Sequence, residues 1–346
     1  EDGNGNLINL VHCSKWRVHD VWIAGSYFHG LEIDQSFDIQ FHNCRWSGSY
    51  SFATSGSWIQ LDYGAAGPKS LHTSITATDV DDLLFADCTF EARPDTDTSS
   101  RDMDLTHGPL NINRLTFRNC HFTGRNYTQT AIIGLDAGSV GYINEMSFEG
   151  CTFVTKRYDC QVFRVADSTN RTLRGVHFSD CTFTGKSANI ILAVQNTSAT
   201  VAVNNYLHRD FTFVRNSITF DKTGMPGSAA DYLLLLLNQW VGLQIEDNDF
   251  YGTGDFQAGA AHFTYSAVMR LGNNTDMVLR GNRINWEGNN FAAQRTAIYI
   301  SQEAADQAGY TKRTIVEGNI LASDNANWSY GILLQCGTTV PDKRAF

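Results

Sequence analysis

The sequence predicts an all-β fold, a single-stranded right-handed parallel β-helix of about ten to eleven coils with long loops. Three observations carry this. A short phrase of alternating apolar and polar residues returns roughly every 33 residues along the chain. Its period is two, not 3.6. No long Ala/Leu/Glu/Lys segment of the kind that builds helical repeats is present.

The phrase appears as Phe41-His-Asn-Cys44-Arg-Trp46, Phe85-Ala-Asp-Cys88-Thr-Phe90, Phe117-Arg-Asn-Cys120-His-Phe122, Phe148-Glu-Gly-Cys151-Thr-Phe153 and Phe178-Ser-Asp-Cys181-Thr-Phe183. Asn then replaces Cys at Asn216, Asn248, Asn282 and Asn319, and a weaker copy opens the series at Val18. Each phrase reads as a strand with its small residue where the chain bends. A second strand follows at 31–34, 59–62, 103–106, 133–136, 163–166, 192–195, 235–238, 269–272, 298–301 and 333–335. Stacked coils place equivalent inward residues about 4.8 Å apart. That gives an aromatic column, a Cys column continuing into an Asn column, and an aliphatic column. Buried Asn side chains in such a column can bond to one another along the axis. The surplus residues must leave as loops, chiefly at 47–57, 64–80, 91–102, 196–210, 221–231, 253–266 and 302–313.

Composition agrees. Hydrophobic content of 42% supplies a continuous core, while charged content is only 18%. With 5 Pro and no low-complexity tract, residues 1–346 read as one β-helix domain. The repeat runs to both ends, so the chain is expected to be a piece of a longer one. Five of the 8 cysteines share one inward ladder position and read as small buried thiols rather than disulfides. No C-x-x-C pair supports zinc, so no metal or other cofactor is expected. The formal net charge of −10 disfavours nucleic acid and anionic membranes as partners. No apolar run of about 20 residues is present, so membrane insertion is not expected. Gly185-Lys186-Ser187 lacks the upstream Gly of a phosphate loop, and neither a G-x-S-x-G elbow nor a His-Glu-x-x-His motif occurs.

A β-helix offers a long face of outward side chains suited to a linear polymer. Outward positions of the second strand form two columns. The first runs Glu32, Gln60, Asp104, Gly134, Arg164, Ala193, Leu236, Arg270 and Tyr299. The second starts Asp34, Asp62, Thr106 and Asp136, with Asp167 close by. Crowded carboxylates raise one another's pKa, and two carboxyl groups suffice to cleave a glycosidic bond. Diagonal neighbours on a sheet lie roughly 7–8 Å apart, which matches the inverting mechanism. The expected catalytic pair is therefore Asp104 with Asp62 or Asp136. Glu32, Asp34, Gln60, Asp167 and Arg270 would line the polymer path, Arg164 would grip a hydroxyl or carboxylate, and Trp58 and Tyr299 would stack on sugar rings. The same Asp ladder could also be a solvated surface or hold calcium.

With these phrases the chain resembles the pectate-lyase-like β-helix superfamily, and is most similar to the central domains of bacteriophage tailspikes. That resemblance implies a homotrimer on a virion tail, assembled in the host cytoplasm and acting outside the cell. It implies binding and cleavage of a bacterial surface polysaccharide, a capsule or an O-antigen. A lyase of the same fold, with Arg164 near Asp136 and Asp167, and a non-catalytic adhesin or structural spike are the alternatives. A cell-wall enzyme or uronate epimerase is a fourth.

Overall fold

In the computed structural model the chain winds through three parallel sheets. The structure describes residues 7–26, 29–49, 57–62, 79–91, 101–107, 111–124, 131–135, 141–156, 161–165, 171–186, 191–193, 208–221, 234–253, 265–287, 294–301, 312–323 and 330–335. Most of the predicted loops lie outside them. Among the described residues the first sheet has 11 strands and the second and third have 10 each, and each strand between the two ends of a sheet pairs with the equivalent strands of the coils before and after it. Among the described residues the repeat thus gives ten three-strand coils plus one further strand, the parallel β-helix class that the sequence predicts.

The phrase is the corner between the second and third sheets. Its third residue takes positive φ in ten successive coils: Asp20, Asn43, Asp87, Asn119, Gly150, Asp180, Arg215, Asp247, Gly281 and Gly318 lie between 50° and 64°. Asp, Asn and Gly tolerate this left-handed conformation best, which is why they recur there. Arg215 is the exception. Its guanidinium is held by Asp180 of the preceding coil through Nε–Oδ1 at 2.9 Å and Nη2–Oδ2 at 2.8 Å.

The residue after the left-handed one points inward. Each Cys of the column aims its thiol at the carbonyl that opens the previous coil's phrase: Cys151 at Phe117 O (3.4 Å) and Cys181 at Phe148 O (3.3 Å). The Asn residues do the same with Nδ2, Asn248 reaching Phe213 O at 2.7 Å and Asn282 reaching Ile245 O at 2.8 Å. Cys and Asn therefore satisfy one buried acceptor by two chemistries, and the thiols are more than filler. Cys13 and the five ladder cysteines are all free. Burial pushes the Cys120 thiol far above the ordinary range, so it stays protonated and can donate.

Two aromatic columns flank this corner. Phe41, Phe85, Phe117, Phe148 and Phe178 stack at centroid spacings of 4.6 to 5.1 Å. Trp46, Phe90, Phe122, Phe153 and Phe183 stack at 4.8 to 5.0 Å. The columns meet edge-on, as in Phe117 against Phe122 at 5.5 Å and 71°. One ring per coil matches the strand spacing, so each coil repeats the contact; such pairs add about 0.5–1.5 kcal/mol beyond burial.

The second sheet carries a feature that strict alternation does not predict. Mid-strand, Lys15, Asp38, Asp82, Arg114, Glu145, Gly175, Asp210, Gly242, Asp276 and Arg313 also have positive φ. Inward residues before and after this kink are three apart, not two: Ile112 and Leu115, Ile143 and Met146, Leu173 and Val176 are all buried. The kinked residues project outward as one ridge along the rod.

Candidate functional site

The predicted polymer face is the outer side of the first sheet. Pairing there aligns Glu32, Gln60, Asp104, Gly134 and Arg164 as successive register partners. The column continues through Leu192, Leu236, Arg270 and Tyr299. Leu192 stands where the sequence suggested Ala193. The strand Ile191–Ala193 enters one residue earlier than read, with Ile191 paired to Phe163, and a slip of one residue exchanges the two faces.

Glu32 is half-buried and its Oε2 accepts the Asn9 amide at 3.2 Å. Arg164 is also half-buried. Gly134 separates the Asp104 and Arg164 positions and adds no side chain between them. The far end of the column is closed rather than open, contrary to the expectation of a surface platform. Arg270 and Tyr299 are each only 6% exposed, the guanidinium lies 5.6 Å from the ring centroid, and Ala267, Leu236 and Leu333 complete a small apolar cluster. Asp34, predicted on the surface, is 5% exposed.

Asp34 and Asp62 are direct neighbours, as expected. The register then slips: Asp104 faces Gln60, but Asp62 faces His107 instead of Thr106. The extra residue lies between Asp104 and His107, so Asp104 remains opposite Gln60, two strand residues from Asp62, as the regular register would have it. The side chains of Trp58, Gln60, Asp62 and Asp104 lie outside the described residues, as do Asp136 and Asp167 entirely.

Sequence reasoning overlooked the outer face of the second sheet. There the ridge of kinked residues carries Asp38, Asp82, Arg114, Glu145 and Asp210. Arg17 bonds Asp38 at 2.7 Å, and Arg114 bonds Asp82, with Nη2–Oδ2 at 2.8 Å. The Arg114 guanidinium holds the Asp82 carboxyl below its ordinary range, and the carboxylate in turn pushes the arginine up. Beside the ridge, Asn144 donates to Asn113 at 2.9 Å, and Asn113 donates to Asp81. Two adjoining grooves share Arg114 and Glu145. One of about 440 Å³ extends toward Asp38, Asp82 and Arg118, and one of about 410 Å³ toward Arg174, His177 and Asp210. Burial pushes the half-buried His177 imidazole down, against the fields of Asp210 and Glu145. The signal was present in the sequence as apolar spacings of three then two, as in Ile143, Met146 and Phe148. An expectation of pure alternation passes over it.

No family model matches the chain, and no curated protein matches it. Among solved structures it is similar to the Streptococcus pneumoniae surface protein and adhesin PfbA, with a TM-score of 0.50 and 12% sequence identity, covering 95% of this chain and 68% of that one. At that identity the likeness supports the β-helix fold and nothing finer.

Proposed function

We propose that this chain acts outside the cell as a glycan-engaging β-helix of the tailspike type, which binds a bacterial surface polysaccharide and shortens it by endo-hydrolysis. One observation carries the reading. Glu32, Gln60, Asp104 and Arg164 share a single register column, with Gly134 at the step between acid and guanidinium. A sugar ring lying over that step would meet a carboxyl group on one side and a fork of N–H donors on the other. Asp104 would act with Asp136 or Asp62 as acid and base in an inverting displacement, and Arg164 would hold the neighbouring sugar. The working form would be a homotrimer, and no cofactor is required; a calcium ion on the acidic ladder is the variant of this reading, and a chelator would abolish activity only if that variant holds.

The test is incubation of the protein with a panel of capsules and O-antigens, reading product masses. Products heavier than the intact repeat by one water per cut support hydrolysis. An ultraviolet-absorbing unsaturated product, lost in Arg164→Ala, would instead establish a lyase. Full activity in Asp104→Asn, Asp62→Asn and Asp136→Asn alike would remove the site assignment.

A second reading, binding without cutting, is favoured by the burial of Arg270 and Tyr299, which takes two of the expected polymer-lining groups off the open face. It predicts saturable binding with polymer length unchanged.

A further inference from the structure

The ridge on the second sheet neutralises its charges in neighbouring coils: Arg17 with Asp38, Arg114 with Asp82 and, farther along, Arg313 with Asp276. The pattern breaks at Gly175. Register pairs Asn144 with Arg174 and Arg174 with Arg209, so Glu145, Gly175 and Asp210 are successive ridge positions. Glycine leaves that step empty. Two coil rises put the flanking Glu145 and Asp210 backbones on the order of 10 Å apart. Arg174 stands beside the gap and His177 lies beneath it. Among the described residues, none forms a side-chain hydrogen bond or ion pair with the Glu145, Arg174 or Asp210 side chains. The notch has a volume of about 410 Å³. A β-carbon on Gly175 (φ +67°) would lie 3.2 Å from His177 Nε2 and 3.4 Å from the Glu145 Cα, so the absence of a side chain is what holds it open.

The lining selects among ligand classes by charge. Two unpaired carboxylates repel phosphates, sulfates and uronic acids. Arg174 offsets one of the two carboxylates and Arg114 is already neutralised by Asp82, so a single exposed negative charge is left to draw an ammonium group. The lining side chains Asn144, Glu145, Arg174, His177 and Asp210 all carry polar ends, which a hydrophobic ligand would leave without partners. What remains is a neutral molecule bearing many hydroxyls, which gives protons to the carboxylates and accepts them from the guanidinium fork.

We propose that the Gly175 notch, flanked by Glu145, Arg174 and Asp210, is a second saccharide site, separate from the first-sheet column, that takes an uncharged sugar unit. The inference rests on the reading that the chain engages a glycan. It goes further by placing a site on another sheet and specifying the charge of its ligand.

The test is calorimetric titration of the full chain with neutral hexose and N-acetylhexosamine tetrasaccharides and with uronic tetrasaccharides. Neutral oligomers should bind at least about tenfold more tightly than uronic ones. Gly175→Asn keeps a residue type that tolerates positive φ while filling the gap, and should weaken binding about tenfold or more; Arg174→Ala should do likewise. Circular dichroism and melting curves would establish that both variants are folded. Uronic oligomers binding as well as neutral ones, no neutral oligomer binding, or folded variants that bind like the parent would each overturn the proposal. Asp104→Asn separates the two sites. If it abolishes cleavage while Gly175→Asn leaves binding intact, only the notch is lost. If the notch binds but no polymer is cut, only the hydrolytic reading is lost.

Discussion

Replacing Asn248 by Leu removes four hydrogen bonds from the rod interior. Its Nδ2 donates to Phe213 O at 2.7 Å and to Asn282 Oδ1 at 2.9 Å. Its Oδ1 accepts the Asn216 backbone N–H at 2.9 Å and the Asn216 Nδ2 at 3.0 Å. At a net ~1 kcal/mol per bond the loss is about 4 kcal/mol, and the extra buried methyl groups return about 1 kcal/mol. The stranded groups are backbone and amide atoms 0–2% exposed, so water cannot replace the partner without entering the core. The net destabilisation is therefore about 3 kcal/mol. Asn248→Cys should cost roughly half as much, because Cys181 makes the equivalent bond to Phe148 O at 3.3 Å. Urea unfolding followed by far-ultraviolet circular dichroism measures both, and amide exchange at Asn216 reports the local opening expected of a solenoid. If the leucine variant unfolds within about 1 kcal/mol of the parent, or the cysteine variant fares no better than leucine, the account of the ladder is wrong.

His208 is buried with its ring 4.9 Å from Trp240, and its Nδ1 accepts the Leu173 N–H at 3.3 Å; burial pushes its pKa down to about 4. The unfolded chain takes up this proton near pH 6.5 and the folded one only near 4, so stability is full above 6.5 and falls as pH drops, by about 3 kcal/mol in all. His208→Gln should flatten that part of the urea-midpoint profile, and identical profiles would refute the assignment. Gly185→Ala places a β-carbon 1.9 Å from Thr155 O at φ +126° and should cost more than about 2 kcal/mol in thermal melts, whereas an unchanged melting temperature would show that the corner relaxes freely. Arg114→Ala breaks a half-exposed pair and should cost less than about 1 kcal/mol, and the Asp82 carboxyl should titrate at higher pH by NMR; an unmoved carboxyl would mean the guanidinium is not its main partner.

What the sequence alone determined is the pattern of inward side chains that repeats once per coil. The Phe, Cys and Asn positions and the first-sheet strands were legible because each coil imposes the same backbone geometry on the same residue types, although the left-handed bend falls on the Asp, Asn or Gly one residue before the Cys or Asn expected to make it. Tertiary structure decided what depends on register between coils. A local slip turned Asp62 toward His107, an early strand entry put Leu192 in place of Ala193, and a mid-strand kink raised the charged ridge around Gly175. Register is a relation between residues about 33 apart, stabilised by stacking and by hydrogen bonds in the ladder. Single-residue offsets of that kind leave composition and period almost unchanged, so they become visible only when the coils are laid on one another.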